Sequence, residues 1–264
     1  MPVPMGMNRT SRHALRLAPC VFAFCLLAPL HARATLLAVD GDARSPDHAR
    51  LLYRESHLIR QDGDRPLERL VLYRCPDGRA FARKRIDYRT SALAPEFEMV
   101  DARGHREGLR RQGGRILVWS GDDAPRALSP PGGPLVADAG FDEYLRRHWT
   151  TATSGKPQVI AFAVPSYGRS LSFKVRGQPA RDAAGPHRFE LRLDGLLGRL
   201  APPIQVEYDE QRRLRRFIGL TNIRDARGDQ IEAEIVFADA PRQVDPGQWQ
   251  AASGTALTNC TLGR

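Results

Sequence analysis

The chain has 264 residues, with 40 lysines and arginines against 30 acidic side chains, a formal net charge of +10. That length suits one domain or one elaborated domain, and a hydrophobic content of 42% excludes wholesale disorder. Only Lys84, Lys156 and Lys174 are lysines, and the arginines are scattered along the whole chain. Such scatter argues against a nucleic-acid-binding stripe, which needs basic residues on one face.

The first elements are an address. Arg9, Arg12 and Arg16 precede an apolar run from Leu17 to Leu30, then Ala32-Arg33-Ala34, with no acid before Asp40. This order predicts a cleavable signal peptide over residues 1–34, cut between Ala34 and Thr35. The apolar run falls short of the ~20 residues that span a bilayer as a helix. Export to the periplasm by a Sec-type route is the expectation, with no stable membrane span after cleavage. Loss of the segment removes four arginines and no acid, so the charge excess falls from +10 to +6.

Two cysteines remain after cleavage, Cys75 and Cys260. In an oxidising compartment an even pair reads as one disulfide, here tying the tail to the turn at 75–78, and the alternative is two free thiols. A bridge closing so long a loop stabilises by up to about 5 kcal/mol, less any strain in the folded state.

Residues 35–48 read as a polar lead. Strand candidates follow near 51–60, 66–75, 79–88, 95–101, 105–111 and 115–120, separated by turn chemistry such as QDGDR, CPDGR and RQGG. A Pro/Gly-rich stretch at 125–134 reads as a long loop. From Asp138, a candidate N-cap, Phe141, Leu145 and Trp149 recur every four residues, which predicts one stripe of a three-turn helix. Asp142 and Glu143 at its start and Arg146 and Arg147 later suit the helix dipole. A short turn or helix is expected around Gly195–Leu200.

Beyond the helix, period two dominates. Leu171, Phe173 and Val175 alternate with Ser170, Ser172 and Lys174. The same holds for Phe189, Leu191 and Leu193, for Ile204, Val206 and Tyr208, and for Ile231, Ala233, Ile235 and Phe237. Each run predicts a half-buried antiparallel strand. The expectation is therefore a mainly β fold: one domain over 49–239 built as a curved antiparallel sheet, a half-barrel, wrapped over one mid-chain helix. The tail 240–264 reads as irregular.

The phrases FDEYLRRHW (141–149), AFAVPSYGRSLSF (161–173) and IQVEYDEQRRLRRFIGLTNIRDARGD (204–229) resemble a group of uncharacterised exported proteins of Gram-negative bacteria. The likeness runs from about Tyr53 to Phe237. In layout the chain is more distantly similar to the periplasmic lipoprotein-carrier (LolA and LolB) half-barrels, which wrap an antiparallel sheet around helices and hold acyl chains in the hollow. It departs from them in having no helix at the start of the mature chain and less helix overall. The resemblance implies binding of a lipid or other amphiphile in an apolar hollow.

No catalytic motif stands out. There is no Gly-x-Ser-x-Gly, because Pro165-Ser166-Tyr167-Gly168 lacks the leading glycine, and no HExxH. No glycine-rich phosphate loop or metal-ligand spacing appears, so neither cofactor nor metal is expected. Three constellations stay open. Glu55 and His57 share a strand face, as an acid–base pair would. His148 and Trp149 end the helix, the first as a cap-bonding group and the second as core. Asn222, Arg224 and Asp225 follow a strand at a hairpin turn. The expected ligand cavity is lined by Phe141, Leu145, Trp149, Phe162 and Phe173. Arg83-Lys84-Arg85 and the cluster Arg212, Arg213, Arg215 and Arg216 are the candidates for contact with anionic lipid headgroups or envelope polymers. The alternative reading is an envelope enzyme or surface-acting scaffold with a site that no motif reveals.

Overall fold

The computed structural model describes residues 1–2, 34–129, 132–179, 185–195, 198 and 202–262. The expected signal peptide therefore lies almost wholly outside the described residues, as does most of the turn expected at 195–200. Arg33–Arg264 forms one compact unit.

Its strands are β1 (Thr35–Arg44), β2 (Leu51–Asp62), β3 (Arg65–Arg74), β4 (Ala80–Asp87), β5 (Glu96–Asp101), β6 (Arg106–Gln112), β7 (Arg115–Ser120), the short β8 (Arg126–Ala127) and β9 (Leu135–Ala137). After α1 (Gly140–Arg147) and α2 (Trp149–Thr153) come β10 (Gln158–Val164), β11 (Arg169–Gly177), β12 (His187–Leu193), β13 (Ile204–Tyr208), β14 (Leu214–Arg224) and β15 (Gln230–Val236). The chain ends in β16 (Arg242–Gln243) and α3 (Gly247–Ser253). They form one sheet in the order β8-β7-β6-β5-β4-β3-β2-β1-β15-β14-β13-β12-β11-β10-β9, with β16 on β1. All pairings are antiparallel except β9 with β10. The mainly β, curved-sheet expectation holds.

The sheet rolls until its two ends overlap. Ala137 of β9 and Ala163 of β10 lie side by side on one face and pack with Ile86, Phe97, Leu109 and Val118 from the far end of the strand order. On the opposite face of the same strands, Val136 and Ile160 pack against α1 through Phe141, Tyr144 and Leu145. The 3-10 turn Pro165–Tyr167 touches β6 and β7. Alanine at 137 and 163 permits this approach, because larger side chains would hold the layers apart.

Three expectations need correction. Residues 35–48 are not a lead: Thr35–Arg44 is a full strand. Its burial changes phase, with Leu36 and Ala38 under α3 and Ala43 in the core on the other face, so no single period marks it. The helix is broken at His148, whose backbone leaves helical geometry between α1 and α2. The tail is not wholly irregular either. Trp249 and Ala252 of α3 cover Leu36, Ala38, Leu58 and Leu70, while Arg83 donates to the carbonyls of Ser253 and Thr255. A guanidinium at the carbonyl end of a helix is favourable for the dipole. The tail then pairs Thr258 with Ala80 and closes through a Cys75–Cys260 disulfide, 185 residues apart in sequence.

Gly140, where α1 begins, is forced by space. A Cβ there would lie 2.0 Å from the Leu93 carbonyl oxygen, a backbone atom with no room to retreat. Gly140→Ala is expected to cost about 1–3 kcal/mol through overpacking. Gly132→Ala, with nothing within 4 Å of the new Cβ, should be near neutral. Equal urea midpoints for the two variants would refute this account of the α1 docking.

Candidate functional site

The five residues expected to line a cavity are packed side chains. Phe141 and Leu145 belong to the cluster between α1 and β10–β13, and Trp149, Phe162 and Phe173 lie against it. Trp149 meets Phe189 and Tyr208 edge-on at 5.4 and 5.9 Å, and Phe162 meets Phe173 at 5.8 Å. Rings at these distances fill space by interlocking. The two depressions described below include none of the five.

Glu55 and His57 are brought together as expected. His57 Nε2 is 2.8 Å from Glu55 Oε2, and both side chains are buried. The Phe237 ring lies 5.5 Å from the imidazole. Gly41, paired with Glu55 across β1–β2, leaves room for Phe237, whose ring a Cβ would meet at 2.7 Å. The pair can pass a proton between imidazole and carboxylate, but neither depression reaches it.

The interior also holds ion pairs that the sequence reading missed. Lys84 of β4 points inward, only 5% exposed. Its Nζ donates to Asp138 Oδ2 at 2.7 Å and to Asn222 Oδ1 at 3.1 Å. Asn222 donates in turn to Glu107 Oε1 at 2.5 Å, and Arg224 donates to His105 Nε2 at 3.2 Å. A second group joins Arg69 and Arg146 to Asp142, with Glu143 also on Arg146. Burial raises the Glu143 carboxyl above its ordinary range, against the pull of Arg146.

Asp138 is thus not the helix cap: Ala139 holds that position without a side-chain bond, and Asp138, at φ 45°, serves Lys84. Asn222 and Arg224 lie within β14 rather than in a turn. Asp225 does make the expected turn, accepting from the backbone N–H of Arg227 and Asp229. His148 behaves as expected too, its Nδ1 lying 2.9 Å from the Tyr144 carbonyl. In-strand charges with inward partners on distant strands carry no local signature, which is why they were missed.

This enclosed interior sets an alkaline limit. Burial, reinforced by the Glu55 carboxylate, pushes the Tyr53 and Tyr73 phenols well above their ordinary value, and burial with Asp142 does the same to Tyr208. Groups with raised folded values keep their full contribution below the unfolded value of ~10 and lose it as pH climbs toward the folded values. Stability should therefore fall above pH ~10, with these phenols ionising only as the chain unfolds. A spectrophotometric titration in which they ionise in the still-folded protein would contradict the packing.

The outer face offers a different surface. A groove of about 400 Å³ crosses β3–β7 beside α3. Strand alternation sends Arg85, Glu96, Glu98 and Arg110 outward, opposite the inward Lys84, Phe97 and Leu109. Trp119 stands on one side and Trp249 of α3 on the other. The six-membered ring of Trp119 lies over Gly108, where a Cβ would come within 2.4 Å of it. Arg110 stacks on Trp119 at 5.6 Å, and Arg60 covers Trp249 at 4.1 Å. A second depression, of about 420 Å³, lies over β12–β14, where Arg216 pairs with Glu207 and Glu234.

The basic clusters are largely engaged within the chain. Arg83 and Arg85 hold the end of α3, Arg213 binds Asp209, Arg215 binds the carbonyls of Ala238 and Asp239, and Arg212 stacks on Trp149. Among the described residues no group of three or more His, Cys, Asp or Glu side chains could hold a metal ion, and no helix is long and apolar enough to cross a membrane.

No family model matches the chain, and no curated protein matches it. Among solved structures, the chain is similar to a β-barrel-like protein of a domain of unknown function, DUF1849, from Brucella abortus. The match has 8% sequence identity and a TM-score of 0.41, over 81% of this chain and 97% of that one.

Proposed function

We propose that this chain is an exported envelope protein that binds, without catalysing a reaction, a ligand bearing both apolar and polar surface. The binding site in this reading is the outer groove between Trp119 and Trp249, not the interior hollow of a lipoprotein carrier. The observation that carries it is the lining of that groove. Two half-buried indoles flank outward charges of both signs, a mixture suited to orienting an amphiphilic ligand. An acyl chain inside the roll would have to displace the packed Phe141 and Leu145. Export is supported by the basic, apolar and small-residue order of the first 34 residues and by a disulfide pairing suited to an oxidising compartment.

Native mass spectrometry of the protein purified from a bacterial periplasm tests export and binding together. The expected species begins at Thr35, lacks two hydrogens through the disulfide, and carries a ligand that a mock purification lacks. A precursor mass would refute processing for export, and free thiols would refute the bridge. A chain that remains bare after mixed envelope extracts are offered would refute the binding reading.

A further inference from the structure

We infer that the groove between Trp119 and Trp249 is a saccharide site, taking a short neutral glycan segment whose ring stacks on Trp119. The inference rests on the groove being the binding site, and it follows from which groups there are free. Glu68 is held by Arg60 and Arg89, Asp87 by Arg89, and Glu98 by Arg106. Glu96 makes no ion pair or side-chain hydrogen bond with the described residues. Among the described residues Arg110 meets only the Trp119 ring, and Arg85 only the Ser253 carbonyl at 3.4 Å. The groove therefore presents one free carboxylate acceptor, the Arg110 guanidinium and the remaining N–H groups of Arg85 next to an indole.

Each ligand class meets that set differently. An acyl chain would bury Glu96, Arg85 and Arg110 without partners, which is strongly unfavourable. An anion would satisfy the guanidiniums but leave Glu96 unpaired beside it, since among the described residues no arginine pairs with that carboxylate. A neutral pyranose has hydroxyls that donate to Glu96 and accept from Arg85 and Arg110, and its C–H face covers an aromatic ring. Trp119 can receive that face because its inner side rests on Gly108 and what lies over it, the exposed Arg110, is 5.6 Å from the ring centroid. Trp249 cannot, being held between the Leu36–Leu70 cluster and Arg60. It acts as a wall of the groove.

Intrinsic fluorescence reads the site, since two of the three tryptophans line it. The oxidised protein is titrated with a neutral chito-oligosaccharide, with a lysophospholipid and with a neutral tetrapeptide. The expected result is a saturable change with the saccharide alone. Affinity should drop about tenfold or more in Trp119→Ala and clearly in Glu96→Gln, which leaves the packing untouched, while Trp149→Phe retains binding. Saturation by the lipid or the peptide instead would overturn the saccharide class and leave the groove as the site. No response to any of the three would overturn both readings. Saccharide binding unaltered in both Trp119→Ala and Glu96→Gln would place the site elsewhere and sink the inference.

Discussion

Lys84→Met is expected to destabilise the fold by about 3–5 kcal/mol, because it leaves a carboxylate without its counter-charge in a closed interior. Lys84 and Asp138 have side chains only 7% and 6% exposed, with 2.7 Å between Nζ and Oδ2. Removing the ammonium strands Asp138 at the entrance to α1 and takes a donor from Asn222, which in turn positions Glu107. For a domain of this size the melting temperature should drop by roughly 10 °C. Asp138→Asn should be comparably harmful alone. The double variant Lys84→Met with Asp138→Asn should recover a substantial part of the loss, since neither charge is then unpaired. Denaturant unfolding of the three variants settles the matter: additive losses, or a single-variant loss under about 1 kcal/mol, would mean that the pair is solvated and does not hold α1 in the roll.

Cutting the Cys75–Cys260 link should have the second large effect. Cys75→Ala with Cys260→Ala, or reduction of the unaltered protein, is expected to cost about 2–5 kcal/mol. The bridge joins the start of the β3–β4 turn to the end of the arm that carries α3. Without it the arm is held by the Arg83 and Thr258 bonds and by Trp249 on Leu36, Ala38, Leu58 and Leu70. A local signature should precede global unfolding: Trp249 emission shifts to the red in mild denaturant, and amide exchange rises over β2 and β3 where α3 covers them. Loss of stability with no change in arm protection would show that the bridge acts only on the unfolded chain. Because Trp249 is one wall of the groove, arm release should also weaken any ligand bound there.

Local pattern determined a good deal. Strands β2 to β7 and β11 to β15 were legible because period two and turn residues are properties of short segments, whereas β10 was not expected. The apolar stripe of α1 and the Cys75–Cys260 pairing were legible for the same kind of reason, spacing along a short segment and an even cysteine count. The Glu55–His57 contact followed from alternation along one strand.

What the tertiary structure decided is whatever depends on strands far apart in sequence. Thr35–Arg44 looked polar because its two halves bury opposite faces, one beneath an α3 more than 200 residues later. Lys84 sat in a run of three basic residues. Only the roll of the sheet turns it inward to Asp138 and Asn222 while Arg83 and Arg85 face out to α3. Phe141, Leu145 and Trp149 were legible as an apolar stripe, but whether such a stripe lines a hollow or fills one depends on how tightly the sheet closes over it. The overlap through Ala137 and Ala163 closed it. The outer groove was invisible for the complementary reason. Trp119, Glu96, Arg110 and Trp249 line one groove only when β4 to β7 lie side by side and the arm places α3 on β1 to β3 beside them. Sequence periodicity reports which face a residue takes, and only strand order and closure report what lies opposite it.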